Sequence, residues 1–88
     1  MSYRVEFTNE AIDDLRRIEK AAAQRILRKV KWLSQNFDTL SPEALSADLR
    51  GLFKLRVGSY RVIYEAAEKD RLLTVHLVGH RKDIYRIK

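Results

Sequence analysis

Cysteine is absent from the 88 residues, so the chain has no disulfide framework and no thiolate metal site, and a reducing compartment is permitted. Long apolar runs are missing too, which excludes a membrane-spanning helix. The opening residues alternate like a strand instead of reading as a signal peptide, and the expected location is cytoplasmic. There is no glycine-rich phosphate loop, no pair of facing carboxylates and no Ser/His/Asp set. His76 has nothing at metal-ligand spacing beside it and is read as structural; neither metal nor cofactor is expected. Low hydrophobicity is not among the absences: 45% hydrophobic and 34% charged residues describe a chain that folds. Residues 1–88 are read as one domain with a modest core.

Charge is present but lopsided. Residues 1–49 carry eight basic and eight acidic side chains, whereas residues 50–88 carry ten basic and four acidic, so the formal charge of +6 belongs to the second half. An asymmetry of this kind points to a polyanionic partner.

Tyr3, Val5 and Phe7 alternate with polar residues, the pattern of a strand with one buried face. Thr8 or Asn9 then caps a helix whose apolar stripe is Ala11, Leu15, Ile18 and Ala22, continuing through Ile26, Val30, Leu33 and Phe37. One helix over residues 10–36 would be about 40 Å long, too long for a compact chain with a radius of gyration of about 12 Å. The spacing therefore predicts a helical hairpin broken within residues 19–22. Ser41-Pro42-Glu43 predicts one short helical turn in an otherwise loop-like stretch over residues 38–51. Three further strands follow. Phe53, Leu55 and Val57 lead through a Gly58-Ser59 hairpin of type II′ into residues 60–66, and a polar loop leads into residues 72–78 and Gly79. The expected class is α+β, with a helical hairpin on one face of an antiparallel sheet.

If Phe53, Leu55 and Val57 face the helices, Lys54 and Arg56 project from the opposite face, joined by Arg61. His80, Arg81 and Lys82 follow Gly79, with Tyr85 about one turn beyond. Such cations hold phosphates and an aromatic ring supports an unstacked base. Solubility and edge protection would call for the same cations. Tyr60 and Tyr64 share a face and suit the core, and Trp32 suits a core or partner-facing anchor.

The run Leu49-Arg50-Gly51-Leu52-Phe53-Lys54-Leu55-Arg56-Val57-Gly58-Ser59-Tyr60-Arg61-Val62-Ile63-Tyr64-Glu65, followed by Val78-Gly79-His80-Arg81-Lys82-Asp83-Ile84-Tyr85, resembles the RelE/ParE toxin superfamily of type II toxin–antitoxin systems. The second motif resembles the RelE branch. Tyr3-Arg4-Val5-Glu6-Phe7-Thr8 fits the same pattern, so the likeness spans nearly the whole chain. The resemblance implies a small sheet with two helices before it, an antitoxin partner, and metal-independent cleavage of messenger RNA in the ribosomal A site. It also implies Lys54, Arg61, Arg81 and Tyr85 as catalytic residues and Arg56, His80 and Lys82 as RNA-binding. The general acid and base stay open among Lys54, His80 and Tyr85. Arg50, Lys69, Arg71, Lys82, Arg86 and Lys88 would then steer RNA electrostatically. ParE relatives imply a different activity, non-enzymatic inhibition of DNA gyrase. A nucleic-acid-binding module without toxicity is a third reading.

Overall fold

The computed structural model describes residues 2–40 and 51–84, together with the backbone of Glu43 and Ala44. Chain order is β1 (Arg4–Phe7), α1 (Asn9–Arg17), α2 (Lys20–Asn36), a 3₁₀ turn (Phe37–Thr39), β2 (Glu43–Ala44), β3 (Leu52–Val57), β4 (Tyr60–Ala67) and β5 (Leu72–His80). Thr8 caps α1, its Oγ1 accepting from the Ala11 amide at 3.1 Å while its hydroxyl donates to the His76 carbonyl at 3.1 Å. No glycine or proline marks the end of α1. Ile18 leaves the helix with extended dihedrals, its amide donating to the Leu15 carbonyl. The chain thus divides into two helices that fit a body measuring 32 × 29 × 22 Å.

The strands form one sheet in the order β1-β5-β4-β3-β2. β3, β4 and β5 make the expected antiparallel meander, and both helices lie on one face, α1 against β5 and α2 against β1 and β3. Two features differ from expectation. β1 pairs in parallel with β5, with Arg4 opposite Leu72 and Phe7 opposite Val75, so the sheet is mixed. Glu43, expected in a helical turn, pairs instead with Lys54 in a two-residue edge strand; Ser41 and Pro42 lie outside the described residues.

The core sits between sheet and helices. Tyr3, Ala11, Ile26, Val30, Leu33, Phe37, Val57, Val62, Tyr64, Leu73, Val75 and Val78 form one buried cluster. A chain of rings runs through it, Tyr3 to Phe37 at 5.0 Å, Phe37 to Tyr64 at 6.2 Å and Tyr64 to Phe53 at 5.7 Å. Each fully buried aliphatic side chain among these contributes about 1.5–3 kcal/mol. No helix among the described residues is long and apolar enough to cross a membrane.

Candidate nucleic-acid interface

The β3–β4 hairpin carries most of the cations of the candidate interface. Gly58 has φ +59 while Ser59 does not have a positive φ, the combination of a type II′ turn. Register places Arg56 directly opposite Arg61 and Lys54 opposite Ile63, so the three cations share the sheet face away from the helices. Like charges directly opposed are unfavourable. Arg61 meets this by turning Nη1 onto two carbonyls, that of Gly58 at 3.2 Å and that of Tyr60 at 3.0 Å, and is only 9% exposed. Its Nε and Nη2 make no hydrogen bond with the described residues. Arg56 stays exposed.

Arg81 reaches the same turn from β5. Its amide donates to the Ser59 carbonyl at 2.8 Å, so the side chain of Arg61 and the backbone of Arg81 are both fastened to the Gly58–Ser59 pair. The turn after β5 is tight: the Lys82 amide donates to His80 Nδ1 at 3.2 Å and the Asp83 amide to the His80 carbonyl at 2.8 Å. Gly79 permits it, because a Cβ there would stand 3.3 Å from Cδ1 of the buried Ile84. Arg81 and Lys82 are exposed, and Tyr85 lies outside the described residues.

His80 does not join the other cations. It pairs with Tyr60, and the two rings meet edge to face at 5.9 Å on the helix side of the sheet. There they line a cleft of about 360 Å³ with Asp14 and Arg17 of α1 and with Glu19 from the link between the helices. Alternation across the pleat is the reason: Arg61 and Gly79 point one way, Tyr60 and His80 the other. His76, expected to be structural, is the extra residue of a β-bulge, with Nε2 3.0 Å from Glu65 Oε1. Among the described residues no three His, Asp or Glu side chains gather as metal ligands.

A family model described as the ParE toxin of type II toxin–antitoxin system parDE matches residues 5–85. The chain belongs to the RelE/ParE toxin family. Among its relatives are Toxin RelG of Mycobacterium tuberculosis, 35% identical over 98% of this chain and 99% of the relative, and an Escherichia coli protein described as a putative RelE-like toxin, 30% identical over 99% and 94%. In the crystal structure of the RelBE2 toxin–antitoxin complex from Mycobacterium tuberculosis, the matching chain superposes with a TM-score of 0.83 at 26% identity, covering 94% of this chain and 95% of that one.

In this RelE/ParE toxin the second-half charge divides by position. Lys54, Arg56, Arg61, Arg81 and Lys82 are carried by β3, by β4 and by the turn that follows β5. Arg71, expected to steer RNA, does structural work at the opposite end of the sheet. Its guanidinium donates to Asp38 Oδ2 at 2.7 Å and lies 4.4 Å from the Tyr3 ring centre, and its carbonyl accepts from the Arg4 amide. The hydrogen bond to Asp38 raises its already high pKa. Arg50, Arg86 and Lys88 lie outside the described residues. Sequence reasoning also missed Arg25 on α2, whose Nη2 lies 3.9 Å from the position a Cβ on Gly58 would take. Its helical spacing to Arg28, Lys29 and Trp32 was the available signal.

Proposed function

We propose that this toxin is an endoribonuclease that cleaves messenger RNA in the ribosomal A site and so arrests translation. The observation that carries the reading is the fastening of Arg61 and Arg81 to one hairpin turn, on the strands that bear Lys54 and Arg56. Arginines at and beside one turn suit a phosphate whose oxygens gain charge during the reaction, since a guanidinium stays protonated and offers forked donors. The ribose 2′-oxygen forms a bond to the adjacent phosphorus and the bond from phosphorus to the 5′-oxygen breaks. The products are a cyclic phosphate and a free 5′-hydroxyl, and the proton lost by the 2′-hydroxyl is balanced by one given to the leaving oxygen. Lys54 and Tyr85 share those transfers in this scheme. His80 faces the helix side and is left out of it. Arg56 and Lys82 hold flanking phosphates.

Primer extension on messages from a cell-free translation reaction tests the proposal. Cuts within the A-site codon are expected, and Arg81→Ala should lose most of them. Uncut message with unimpaired translation would overturn it. The ParE description of the matching family model favours a second reading, inhibition of DNA gyrase without catalysis. A supercoiling assay separates the two. The solved relatives RelBE2 of Mycobacterium tuberculosis and others are toxin–antitoxin complexes, which supports a cognate antitoxin for this chain. Growth arrest on induction, relieved by co-expressing the neighbouring reading frame, is the expected sign of it.

A further inference from the structure

Helix α2 breaks the neutrality of the first half. It carries Lys20, Arg25, Arg28, Lys29 and Lys31 and no acidic residue. On α1 the cations are paired, Arg16 with Asp13 at 3.6 Å and Arg17 with Asp14 at 3.3 Å. Arg25 and Arg28, by contrast, have no acidic partner among the described residues, and Lys29 meets a ring instead: its Nζ lies 4.0 Å from the centre of Trp32. Positions 25, 28, 29 and 32 stand at i, i+3, i+4 and i+7, one stripe of the helix, while Ala22, Ile26, Val30 and Leu33 form the buried stripe. Like charges at these spacings repel. Trp32, the single tryptophan, is 40% exposed although it is the largest apolar side chain of the molecule.

The stripe begins at the reaction end of the molecule. Arg25 Nη2 approaches Gly58, the residue whose carbonyl holds Arg61 and whose neighbour Ser59 holds Arg81. From Arg25 to Trp32 the helix advances about 10 Å, the length of about three stacked nucleotides at 3.4 Å each. We propose that Arg25, Arg28, Lys29 and Trp32 form an RNA-binding strip that carries the strand from the Arg61–Arg81 turn onto the helix side of the molecule, with Trp32 as the platform on which a base rests. The cations meet backbone phosphates and the indole meets a base, the combination by which single strands are bound without sequence preference. RNA suits the strip better than an acidic peptide, because the cations lead away from a turn already assigned to phosphate. The inference rests on the ribonuclease reading and extends its substrate contact.

Binding of a 2′-O-methylated single-stranded RNA, which cannot be cleaved by attack of its own 2′-hydroxyl, is measured against salt for the wild type and for the triple variant Arg25→Gln/Arg28→Gln/Lys29→Gln. The slope of log affinity against log salt should become shallower by about 2 in the variant, at about 0.7 for each phosphate of a single strand that the protein no longer neutralises. Arg25→Lys/Arg28→Lys should keep the wild-type slope, and the emission of Trp32 should be quenched on binding. An unchanged slope in the triple variant overturns the strip while leaving the ribonuclease reading standing. An unchanged slope accompanied by weakened affinity for the antitoxin overturns it in favour of a protein-docking face. A wild type that binds no RNA overturns the strip, and the ribonuclease reading then stands or falls on the cell-free translation assay.

Discussion

Tyr64 is 2% exposed, and burial pushes its phenol from an ordinary pKa of 10.0 up to about 12. Between those values the unfolded chain has released the proton that the folded chain still holds. The stabilisation is therefore complete below pH 10.0 and is lost as pH rises towards 12, at about 1.4 kcal/mol per pH unit for this one group. Urea unfolding across that range should show the decline, and Tyr64→Phe should remove one proton's worth of it. Arg71 combines φ +49 with interactions with Asp38 and Tyr3. Arg71→Ala gives up both interactions and keeps the strain, whereas Arg71→Gly gives them up and relieves it. Both should lower the melting temperature, alanine the more. A charge count cannot distinguish such an arginine from Arg56, because its role depends on a backbone dihedral and on a partner 33 positions away in the chain.

At the scale of elements, α1 secures the sheet where β1 stops. The Asp14 carboxylate accepts from the Val78 amide at 3.0 Å, beyond the last paired residue of β1. Asp14→Ala leaves that part-buried amide without its partner and should cost about 1–3 kcal/mol in chemical unfolding. Gly58→Ala meets no steric obstacle, with Arg25 as its nearest neighbour at 3.9 Å, but forces an L-residue to φ +59. It should cost about 1–2 kcal/mol and loosen the turn that holds Arg61 and Arg81. The hairpin, the Thr8 cap and the three long strands were legible in sequence because each rests on neighbours in the chain: a turn glycine, a hydroxyl three residues from an amide, an alternation. The parallel partner of β1 was not legible, since alternation specifies which face of a strand is buried and leaves its neighbour open. β2 was too short for any periodicity. The candidate site was legible only as a set of cationic residue types, Lys54, Arg56, Arg61 and Arg81, and the sheet face of His80 required the register. Arg25 was hidden because acids elsewhere in residues 1–49 cancel the cations of α2 in any count over half the chain.

On the scale of the whole molecule, cations stand on both sides of the sheet: Arg56 on the face away from the helices, Arg25 and Arg28 on α2. A chain of this size buries only about 60–65% of its unfolded surface, so a partner that binds the folded state alone should raise stability by mass action. Titrating purified antitoxin into the toxin should raise the melting temperature progressively with antitoxin concentration, and a flat response would argue against a cognate pair. The pairing of β1 with β5 adds a constraint of timing. Arg4 waits for Leu72, and Arg81 follows only after β5 is complete. A growing chain therefore carries its helices, its hairpin and most of its cations before the sheet can close. Until β5 is made, β1 has no strand partner and β4 has an open edge, so the last strand synthesised joins the two parts of the sheet.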